Sequence, residues 1–324
     1  MQRIGIIGLG VIFEQHIQAL EKVKDLFTLI AVFDKDPSRV AHALDLCKGL
    51  HGMEGVRGTE SLDAFLEIGM DTILIDTPPA THCPIAERCL LTGRNVLLEK
   101  PADVNIQSLE RLYQLADNQH SLLHVAFHAA YAADLLWFLQ HRLDIEQQYG
   151  LGRLCSIECR FSDPYICNGT LMNGRKTLGG SYLDSTINEL SVCSSLARLP
   201  AFHTDLFYTQ TLPGTTHPTV VRSLLRLVND EDDLSIFCHT DWTSGQNSKT
   251  SKLIYENGFV LLNHSRQSVL VGEDGPLFDN SLQPRLVTQY VNLYADYSRY
   301  LERRTSNRKE SLAIHRCLFE PLQE

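Results

Sequence analysis

Residues 4–10 of the chain are Ile4-Gly5-Ile6-Ile7-Gly8-Leu9-Gly10, an apolar run that ends in two glycines one residue apart. A helical pattern begins at Ile12, directly after this run. A glycine turn between a strand and a helix lets the backbone approach a pyrophosphate, which the helix N-terminus attracts. The stretch therefore predicts a dinucleotide-binding fold, with Gly8, Gly10, Val11 and Ile12 at the cofactor.

Apolar runs alternate with helical patterns through the first part of the chain. Nearly continuous apolar runs are typical of parallel strands that are covered on both faces. The alternation of strand and helix predicts an α/β fold with a doubly wound parallel Rossmann sheet over residues 1–125. The predicted strands are Arg3–Ile7, Leu29–Phe33, Thr72–Asp76, Asn95–Leu98 and Leu122–Phe127. The predicted helices are Ile12–Val23, Ser38–Cys47, Ser61–Glu67, Thr81–Leu91 and Asn105–Gln119.

The pattern changes in residues 126–324, where longer runs of alternating apolar and polar residues follow a predicted helix at Tyr131–Arg142. They predict a C-terminal α+β domain with a large, mainly antiparallel sheet. Asn257-Gly258 is a two-residue hairpin signal, and residues 229–233 form a polar connection. The predicted strands are Cys155–Phe161, Thr204–Thr211, Thr219–Val228, Leu234–Trp242, Leu253–Tyr255, Phe259–Asn263 and Ser268–Val271; the predicted helices are Ser181–Ala197 and Leu286–Arg303.

The composition is that of an acidic globular protein. The formal net charge is -10 over 324 residues, and the scattered Lys and Arg residues argue against a nucleic-acid surface. Nine cysteines without a Cys-x-x-Cys pair indicate reduced thiols and no metal site. No apolar run is long enough to cross a bilayer, and the N-terminus enters a strand without a charged and apolar leader. We therefore expect a cytoplasmic protein that binds neither nucleic acid nor membrane.

Asp34 ends the second predicted strand, at the place where an acidic residue binds the adenosine ribose of a dinucleotide. Because a carboxylate repels a 2′-phosphate, Asp34 favours NAD over NADP. Arg39 offers the alternative, since its side chain could reach that phosphate, although we interpret Ser38 as a helix N-cap and Arg39 as a solvated residue. Phe13 occupies the third glycine position, which serves helix packing more than phosphate contact.

Two further predicted strands are followed by polar motifs. Thr77-Pro78-Pro79 comes after one of them, and this loop is expected beside the nicotinamide. Glu99-Lys100-Pro101 follows the next, at the sheet edge where open α/β folds bind ligands. The predicted cofactor contacts in these motifs are Thr77, Pro78, His82, Glu99 and Lys100.

These motifs resemble, in combination, the glucose-fructose oxidoreductase / inositol dehydrogenase (Gfo/Idh/MocA) family. The similarity rests on Gly8-Leu9-Gly10, Thr77-Pro78-Pro79, Glu99-Lys100-Pro101 and the segment from Gly179 to Asn188. It extends from the first strand to about Cys193. The resemblance implies an NAD(P)-dependent oxidoreductase that acts on CH–OH groups of a sugar or polyol.

The family's glycine-rich segment usually leads to an Asp and, four residues later, to a His. The corresponding residues here are Asp184 and Asn188. A spacing of four places both side chains on one helical face, but Asn188 cannot accept a proton as His does. The segment Gly180–Val192 is similar to the branch of D-galactose and L-arabinose 1-dehydrogenases, which also have Asn here. Residues 127–132 resemble that branch too, although Ala130 replaces its usual arginine.

An aldose 1-dehydrogenase is therefore the favoured interpretation. Lys100 would stabilise negative charge on the reacting oxygen, Asp184 would receive its proton or hold a neighbouring hydroxyl, and Asn188 would position the sugar. These three are the predicted catalytic residues. The predicted substrate contacts are Lys100, His128, Asp184 and Asn188.

Two alternatives stay open. The chain could act on an inositol or a keto-sugar, or it could be a non-catalytic dinucleotide-binding regulator, which the departures at Phe13 and Asn188 suggest. Trp242, Tyr165 and Arg175 could contact a sugar or serve packing alone. An open second-domain sheet and the resemblance together imply a homodimer or homotetramer.

Overall fold

The chain folds into two compact units in a computed structural model, which describes residues 1–103, 105–172, 175, 178–212, 219–273 and 275–323. The first unit contains residues 1–127 together with 286–312. The second contains residues 128–285 and the segment that starts at 313. The predicted ranges 1–125 and 126–324 differ from this division chiefly because the chain returns to the first unit near its C-terminal end.

The first unit is built on a six-stranded parallel sheet with the strand order β3-β2-β1-β4-β5-β6. This order confirms the predicted doubly wound Rossmann sheet, because the strand order reverses beside β1. The strands are β1 (Gln2–Ile7), β2 (Phe27–Phe33), β3 (Arg57–Thr59), β4 (Thr72–Ile75), β5 (Asn95–Glu99) and β6 (Leu123–Ala126). The helices between them are α1 (Phe13–Lys22), α2 (Pro37–Cys47), α3 (Leu62–Glu67), α4 (His82–Leu91) and α5 (Ile106–Asn118).

Strands β1, β4 and β5 are almost fully buried, as their apolar sequences predict. Strand β3 was not predicted, because it has only three residues and two of them are exposed. The interpretation of Ser38 as the N-cap of α2 is wrong. Asp36 caps this helix, because its side chain accepts a hydrogen bond from the backbone N–H of Ser38 at 2.9 Å.

The second unit is built on an eight-stranded sheet with the order β10-β11-β12-β7-β13-β14-β15-β16. All neighbours are antiparallel except β7 and β12, so the predicted mainly antiparallel sheet is confirmed. Its strands are β7 (Leu154–Ser162), β10 (His203–Thr211), β11 (Val220–Asn229), β12 (Leu234–Asp241), β13 (Ser248–Tyr255), β14 (Gly258–Asn263), β15 (Ser268–Val271) and β16 (Phe278–Asp279). Two short strands, β8 (Ile166–Cys167) and β9 (Thr170–Leu171), form a separate pair.

The helices of the second half include α6 (Ala133–Gln148) and α7 (Ile187–Leu196). The predicted helix Ser181–Ala197 is not α-helical throughout, because Tyr182–Thr186 form a π-helical turn before α7. Gly179 and Gly180 precede this turn with φ of +78° and +90°. A Cβ on Gly180 would lie 2.8 Å from the Val220 carbonyl oxygen, so only glycine fits this entry.

Two further differences concern turns and the C-terminal helices. The hairpin between β13 and β14 has Glu256 and Asn257 at its turn, one residue before the predicted Asn257-Gly258, because Gly258 pairs with Tyr255. The predicted helix Leu286–Arg303 is α8 (Arg285–Arg303), and α9 (Arg308–Phe319) was not predicted. Among the described helices, none combines the length and the apolar character needed to cross a bilayer.

Candidate functional site

The glycine turn after β1 fits a dinucleotide. Gly8 has φ +93°, and a Cβ there would lie 2.2 Å from the Asp76 carbonyl oxygen. A Cβ on Gly10 would meet no atom within 4 Å, and Gly10 is exposed, so this side of the turn has room for a ligand. Ile12 gives α1 no side-chain cap, and the positive end of the helix dipole attracts an anion, although the N–H groups of Phe13 and Gln15 already donate to the Gly10 and Ile12 carbonyl oxygens. The neighbouring Val11 side chain is 70% exposed.

The ring of Phe13, which replaces the third glycine, lies in the core. It is 2% exposed, so it does not occupy the side of the turn where Gly10 leaves space. The helix accommodates this large side chain by burying it together with Ile17 and Leu20. Phe13 therefore does not by its position block a dinucleotide.

Asp34 is a buried carboxylate that already has partners in the protein. Its Oδ2 accepts a hydrogen bond from the Leu9 N–H at 2.9 Å, inside the glycine turn, and its Oδ1 accepts one from the Asp36 N–H at 2.9 Å. Arg39 Nη1 lies 3.6 Å from Asp34 Oδ2, and the Arg39 side chain is 55% exposed. The structure thus places the two residues that point to opposite cofactors side by side.

The loop after β4 contains Thr77, Pro78 and, at the start of α4, His82. Thr77 is half-buried, Pro78 is exposed, and the Thr81 hydroxyl lies 2.9 Å from the Thr77 hydroxyl. His82 differs from the prediction of a cofactor contact, because its side chain is buried and both ring nitrogens face backbone carbonyl oxygens. Its effect on a cofactor must therefore pass through the backbone of these loops.

Glu99 and Lys100 occupy the end of β5. Glu99 is buried, and its Oε1 accepts a hydrogen bond from the Tyr290 hydroxyl on α8 at 3.0 Å. His16 Nε2 on α1 lies 3.4 Å from the same oxygen, and His16 Nδ1 lies 2.9 Å from the Tyr294 hydroxyl. Glu99 Oε2 accepts a hydrogen bond from the Lys100 N–H at 3.1 Å. Residues of α1 and α8 thereby hold the carboxylate that precedes the predicted catalytic lysine.

Asp76 shows that these strand ends share one electrostatic environment. Burial raises the pKa of Asp76 well above its ordinary value, and the negative charges of Glu99 and Asp34 raise it further, whereas Lys100 lowers it. The ends of β2, β4 and β5 therefore bring their charged groups together at one edge of the sheet. This is the edge on which open α/β sheets bind ligands.

In the second unit, the π-helical turn carries Asp184, and α7 carries Asn188. The two residues are one turn apart, because Asn188 Nδ2 donates a hydrogen bond to the Asp184 carbonyl oxygen at 3.0 Å. Asn188 is 7% exposed, and its Oδ1 has no hydrogen-bond partner within the described part of the chain. The half-buried His128 begins a short 3₁₀ helix, His128–Tyr131, which packs against α7. Single π turns of this kind are frequent at functional sites.

A buried ion pair near this turn was not predicted from the sequence. Lys249 Nζ on β13 lies 2.6 Å from Asp163 Oδ1, and both side chains are at most 10% exposed. Ser185 Oγ, next to Asp184, donates a hydrogen bond to Asp163 Oδ2 at 3.3 Å. Burial lowers the pKa of Lys249, while Asp163 and Asp184 act in the opposite direction. Only the pairing of β7 with β13 brings these residues together, so no local pattern reveals them.

Three residues considered as sugar contacts lie in one stack. The Arg175 guanidinium is 4.4 Å from the centre of the Tyr165 ring, which meets the Trp242 ring edge-on at 5.0 Å. Trp242 is fully buried and donates a hydrogen bond from Nε1 to Ser185 Oγ at 3.1 Å, so it serves packing. Tyr165 and Arg175 are half-buried and are available to a ligand of this unit. Burial and the charges of Asp163 and Asp184 raise the pKa of Tyr165.

Glu189 follows Asn188 and faces the sheet. Its Oε1 accepts hydrogen bonds from the N–H groups of Phe161 on β7 at 3.0 Å and His239 on β12 at 3.2 Å. It is fully buried, and burial raises its pKa well above the ordinary value. Glu189 thus fixes α7, with Asn188, to the one parallel strand pair described in this sheet.

Comparison with known proteins supports the assignment of the first unit. The model of the oxidoreductase family with an NAD-binding Rossmann fold, Gfo/Idh/MocA, matches residues 2–127. An inositol 2-dehydrogenase of Rhizobium meliloti is 25% identical over 194 residues, which are 60% of this chain and 54% of the relative. A dTDP-3,4-didehydro-2,6-dideoxy-alpha-D-glucose 3-reductase of Streptomyces antibioticus is 27% identical over 58% of this chain and 54% of the relative. The chain spans about half the length of these curated relatives.

Solved structures show the same fold over nearly the whole chain. A 3-ketoreductase from Actinomadura kijaniata, in complex with NADP and TDP-benzene, superposes with a TM-score of 0.77 at 19% identity and covers 97% of this chain and 94% of that one. GenD2 from gentamicin A biosynthesis, in complex with NAD, gives a TM-score of 0.79 at 20% identity over 98% and 92% of the two chains. The family model thus matches the first unit up to residue 127, and the solved structures share the fold of nearly the whole chain.

Proposed function

We propose that the protein is an NAD(P)-dependent oxidoreductase that transfers hydride between a nicotinamide cofactor and a sugar or polyol. The observation that carries this proposal is the edge of the first sheet, where the glycine turn, Asp34 and Lys100 surround Asp76. Gly8, Gly10, Val11 and Ile12 would hold the pyrophosphate, Asp34 the adenosine ribose, and the loops at Thr77, Pro78 and Glu99 the nicotinamide end. The bound nicotinamide supplies the group that accepts or donates hydride.

The residues of the chain would handle the proton and the charge. Oxidation of a hydroxyl carbon leaves negative charge on oxygen, and the Lys100 ammonium stabilises that charge by a hydrogen bond. Asp184 accepts the hydroxyl proton or holds the neighbouring hydroxyl. Asn188 positions the substrate, because its unpartnered Oδ1 accepts a hydrogen bond that a sugar hydroxyl can donate. His128 is the further substrate contact of the proposal.

Asn188 favours oxidation at the anomeric carbon, that is, an aldose 1-dehydrogenase. An anomeric hydroxyl is more acidic than other ring hydroxyls, because the ring oxygen withdraws charge, so it needs less help from a base. An amide in place of the family's usual histidine suits such a substrate. The similarity to the D-galactose and L-arabinose 1-dehydrogenase branch supports the same choice.

A second candidate is oxidation of a ring hydroxyl or reduction of the matching ketone. The names of the relatives favour it, since they include an inositol 2-dehydrogenase, a sugar 3-reductase and a UDP-N-acetylglucosamine 3-dehydrogenase from Acidithiobacillus ferrooxidans. In this case Asp184 is the only one of the proposed catalytic side chains that can exchange the proton, because Asn188 cannot. A substrate hydroxyl or water must then carry the proton that the family's histidine usually carries. The direction of reaction would then depend on the oxidation state of the substrate supplied.

The absorbance of the reduced nicotinamide distinguishes the candidates when the protein is supplied with a panel of aldoses, inositols and keto-sugars. Turnover of an aldose to its lactone with no reaction of inositols supports the 1-dehydrogenase. Turnover of an inositol or a 3-keto-sugar alone replaces it with the second candidate. Tight dinucleotide binding without turnover of any substrate would instead support a non-catalytic regulator. A cytoplasmic location and a homodimer or homotetramer complete the proposal.

A further inference from the structure

His82 lies between two backbone carbonyl groups at the start of α4. Its Nδ1 is 2.8 Å from the Pro101 carbonyl oxygen, and its Nε2 is 2.6 Å from the Thr77 carbonyl oxygen. A carbonyl oxygen only accepts hydrogen bonds, so each contact requires an N–H on the ring. A neutral ring carries one N–H and donates to one of the two carbonyl oxygens at a time, whereas an imidazolium donates to both.

The surroundings of His82 act on its charge in opposite directions. The pKa of His82 is lowered from its ordinary value, because burial outweighs the two carbonyl oxygens and the carboxylates of Glu99 and Asp103, which raise it. Asp103 is itself held by α4, because the Cys83 thiol lies 2.8 Å from its Oδ2.

The two carbonyl groups belong to the loops that follow β4 and β5, which are neighbours in the sheet. Thr77 begins the loop that we assign to the nicotinamide end of the cofactor. Pro101 follows Lys100 directly, so its carbonyl is part of the backbone that carries the lysine. The ring of His82 therefore links the cofactor loop to the lysine loop from their buried side.

We propose that His82 is a positioning residue that holds the Thr77 loop and Lys100 in fixed relative positions. The proposal rests on the proposed role of Lys100. His82 touches neither cofactor nor substrate, because its side chain is 1% exposed and both ring nitrogens are occupied by the backbone. Each of its two hydrogen bonds has a separate consequence, one for the cofactor and one for the lysine.

Three substitutions separate the two hydrogen bonds. In His82→Asn the amide nitrogen takes the place of Nδ1 and keeps a donor for Pro101. In His82→Gln it takes the place of Nε2 and keeps a donor for Thr77, whereas His82→Ala keeps neither. His42→Gln is the matched control, since His42 is exposed on α2. Lys100→Ala is measured in parallel, with thermal unfolding of every variant.

We expect His82→Ala to lower kcat and to raise the KM for the cofactor, each by about 10-fold, as for loss of a buried hydrogen bond. His82→Asn should mainly raise the cofactor KM, and His82→Gln should mainly lower kcat. If His82 only stabilises the fold and does not position the two loops, His82→Asn and His82→Gln should have the same kcat and the same cofactor KM. That result overturns the proposal. So does wild-type behaviour of His82→Ala.

The hydrogen bonds of the ring are tested in the wild-type protein, so this test does not depend on the folding of a variant. Nitrogen NMR of the protein with ¹⁵N-labelled histidine should show a His82 ring N–H that couples to a backbone carbonyl and exchanges slowly with solvent, and a rapidly exchanging ring N–H contradicts the link. If Lys100→Ala keeps full activity, the proposed function of Lys100 fails. The link through His82 is then judged by the cofactor KM and the NMR result alone.

Discussion

Lys100 is the residue whose ammonium the proposed reaction needs most. Lys100→Ala should lower kcat by about 100-fold or more, because it removes the hydrogen bond to the developing oxyanion. The affinity for the reduced cofactor, measured by fluorescence titration, should change far less. Lys48→Ala is the control, since Lys48 is exposed and pairs only with the nearby Asp45. Equal kcat values for Lys100→Ala and the wild type would remove Lys100 from the mechanism.

Asp34 is the residue that we propose sets the preference between NAD and NADP. The wild type should prefer NAD, because a 2′-phosphate would approach the buried Asp34 carboxylate. Asp34→Asn should raise the KM for NAD by about 10-fold, since an amide can accept from only one of the Leu9 and Asp36 N–H groups. The same change should lower the KM for NADP.

Initial rates with both cofactors measure this ratio, and Asp45→Asn on the exposed face of α2 is the control. Arg39→Ala distinguishes the alternative. If Arg39 binds a 2′-phosphate, its loss raises the KM for NADP and leaves that for NAD unchanged. An unchanged NAD-to-NADP ratio in Asp34→Asn would show that Asp34 only stabilises the turn.

At the scale of elements, α7 is attached to its sheet by Glu189. Glu189→Ala would leave the N–H groups of Phe161 and His239 without this acceptor, and we expect a loss of about 2–4 kcal/mol in the free energy of unfolding. Glu189→Gln keeps a carbonyl oxygen for both and should lose far less at neutral pH. Denaturant unfolding at constant pH compares the three proteins.

The raised pKa of Glu189 also gives a pH dependence with a definite sign. The folded state binds this proton more tightly than the unfolded state, whose carboxyl titrates near about pH 4.3. The contribution is complete below that pH and is lost as the pH rises toward the folded pKa, by at most about 1.4 kcal/mol per pH unit. Glu189→Gln should therefore gain stability relative to the wild type as the pH rises above about 5. If the difference in unfolding free energy between the two proteins stays constant from about pH 5 to about pH 9, Glu189 is ionised in the folded protein.

The sequence predicts whole elements better than their ends and junctions. Continuous apolar runs identified five of the six strands of the first sheet, because strands buried on both faces have no polar residues to confuse the pattern. The π turn before α7 leaves no such mark, since one extra residue in a turn hardly changes helical periodicity. The pairing of Asp163 with Lys249 depends on strand register, which no local pattern contains.

Glycine and strand-end motifs predicted much of the candidate site, because the topology of the sheet decides where strand ends lie. Gly8, Asp34 and Glu99 each lie at the end of a strand, and a doubly wound sheet necessarily gathers such ends at one edge. The inward direction of the His82 ring could not be predicted, because a sequence does not show which way a ring points. The partners of Glu99 on α8 also could not be predicted, as they are far away along the chain.

For the whole molecule, the outer face of the second sheet predicts self-association. Along β11 and β12 the buried residues alternate with Leu224, Arg226, Phe237 and His239, which are half-exposed. An open sheet face with apolar side chains is typical of a surface that another chain covers. Light scattering at about micromolar concentration should therefore give the mass of a dimer or tetramer.

A double change tests whether this face is the interface. Leu224→Glu with Phe237→Glu should give a monomer with an unchanged circular dichroism spectrum, since both side chains point away from the core of their unit. Leu143→Glu on α6, where Leu143 is 78% exposed, is the control and should keep the wild-type mass. A wild-type protein that is already monomeric would contradict the predicted association.

The return of residues 286–312 to the first unit has a consequence for how the protein is made. On the ribosome, residues 1–127 emerge before α8, whose Tyr290 and Tyr294 complete the surroundings of Glu99 and His16. Residues 128–285 of the second unit are synthesised in between. The first unit therefore receives α8 only after most of the second unit is available to fold.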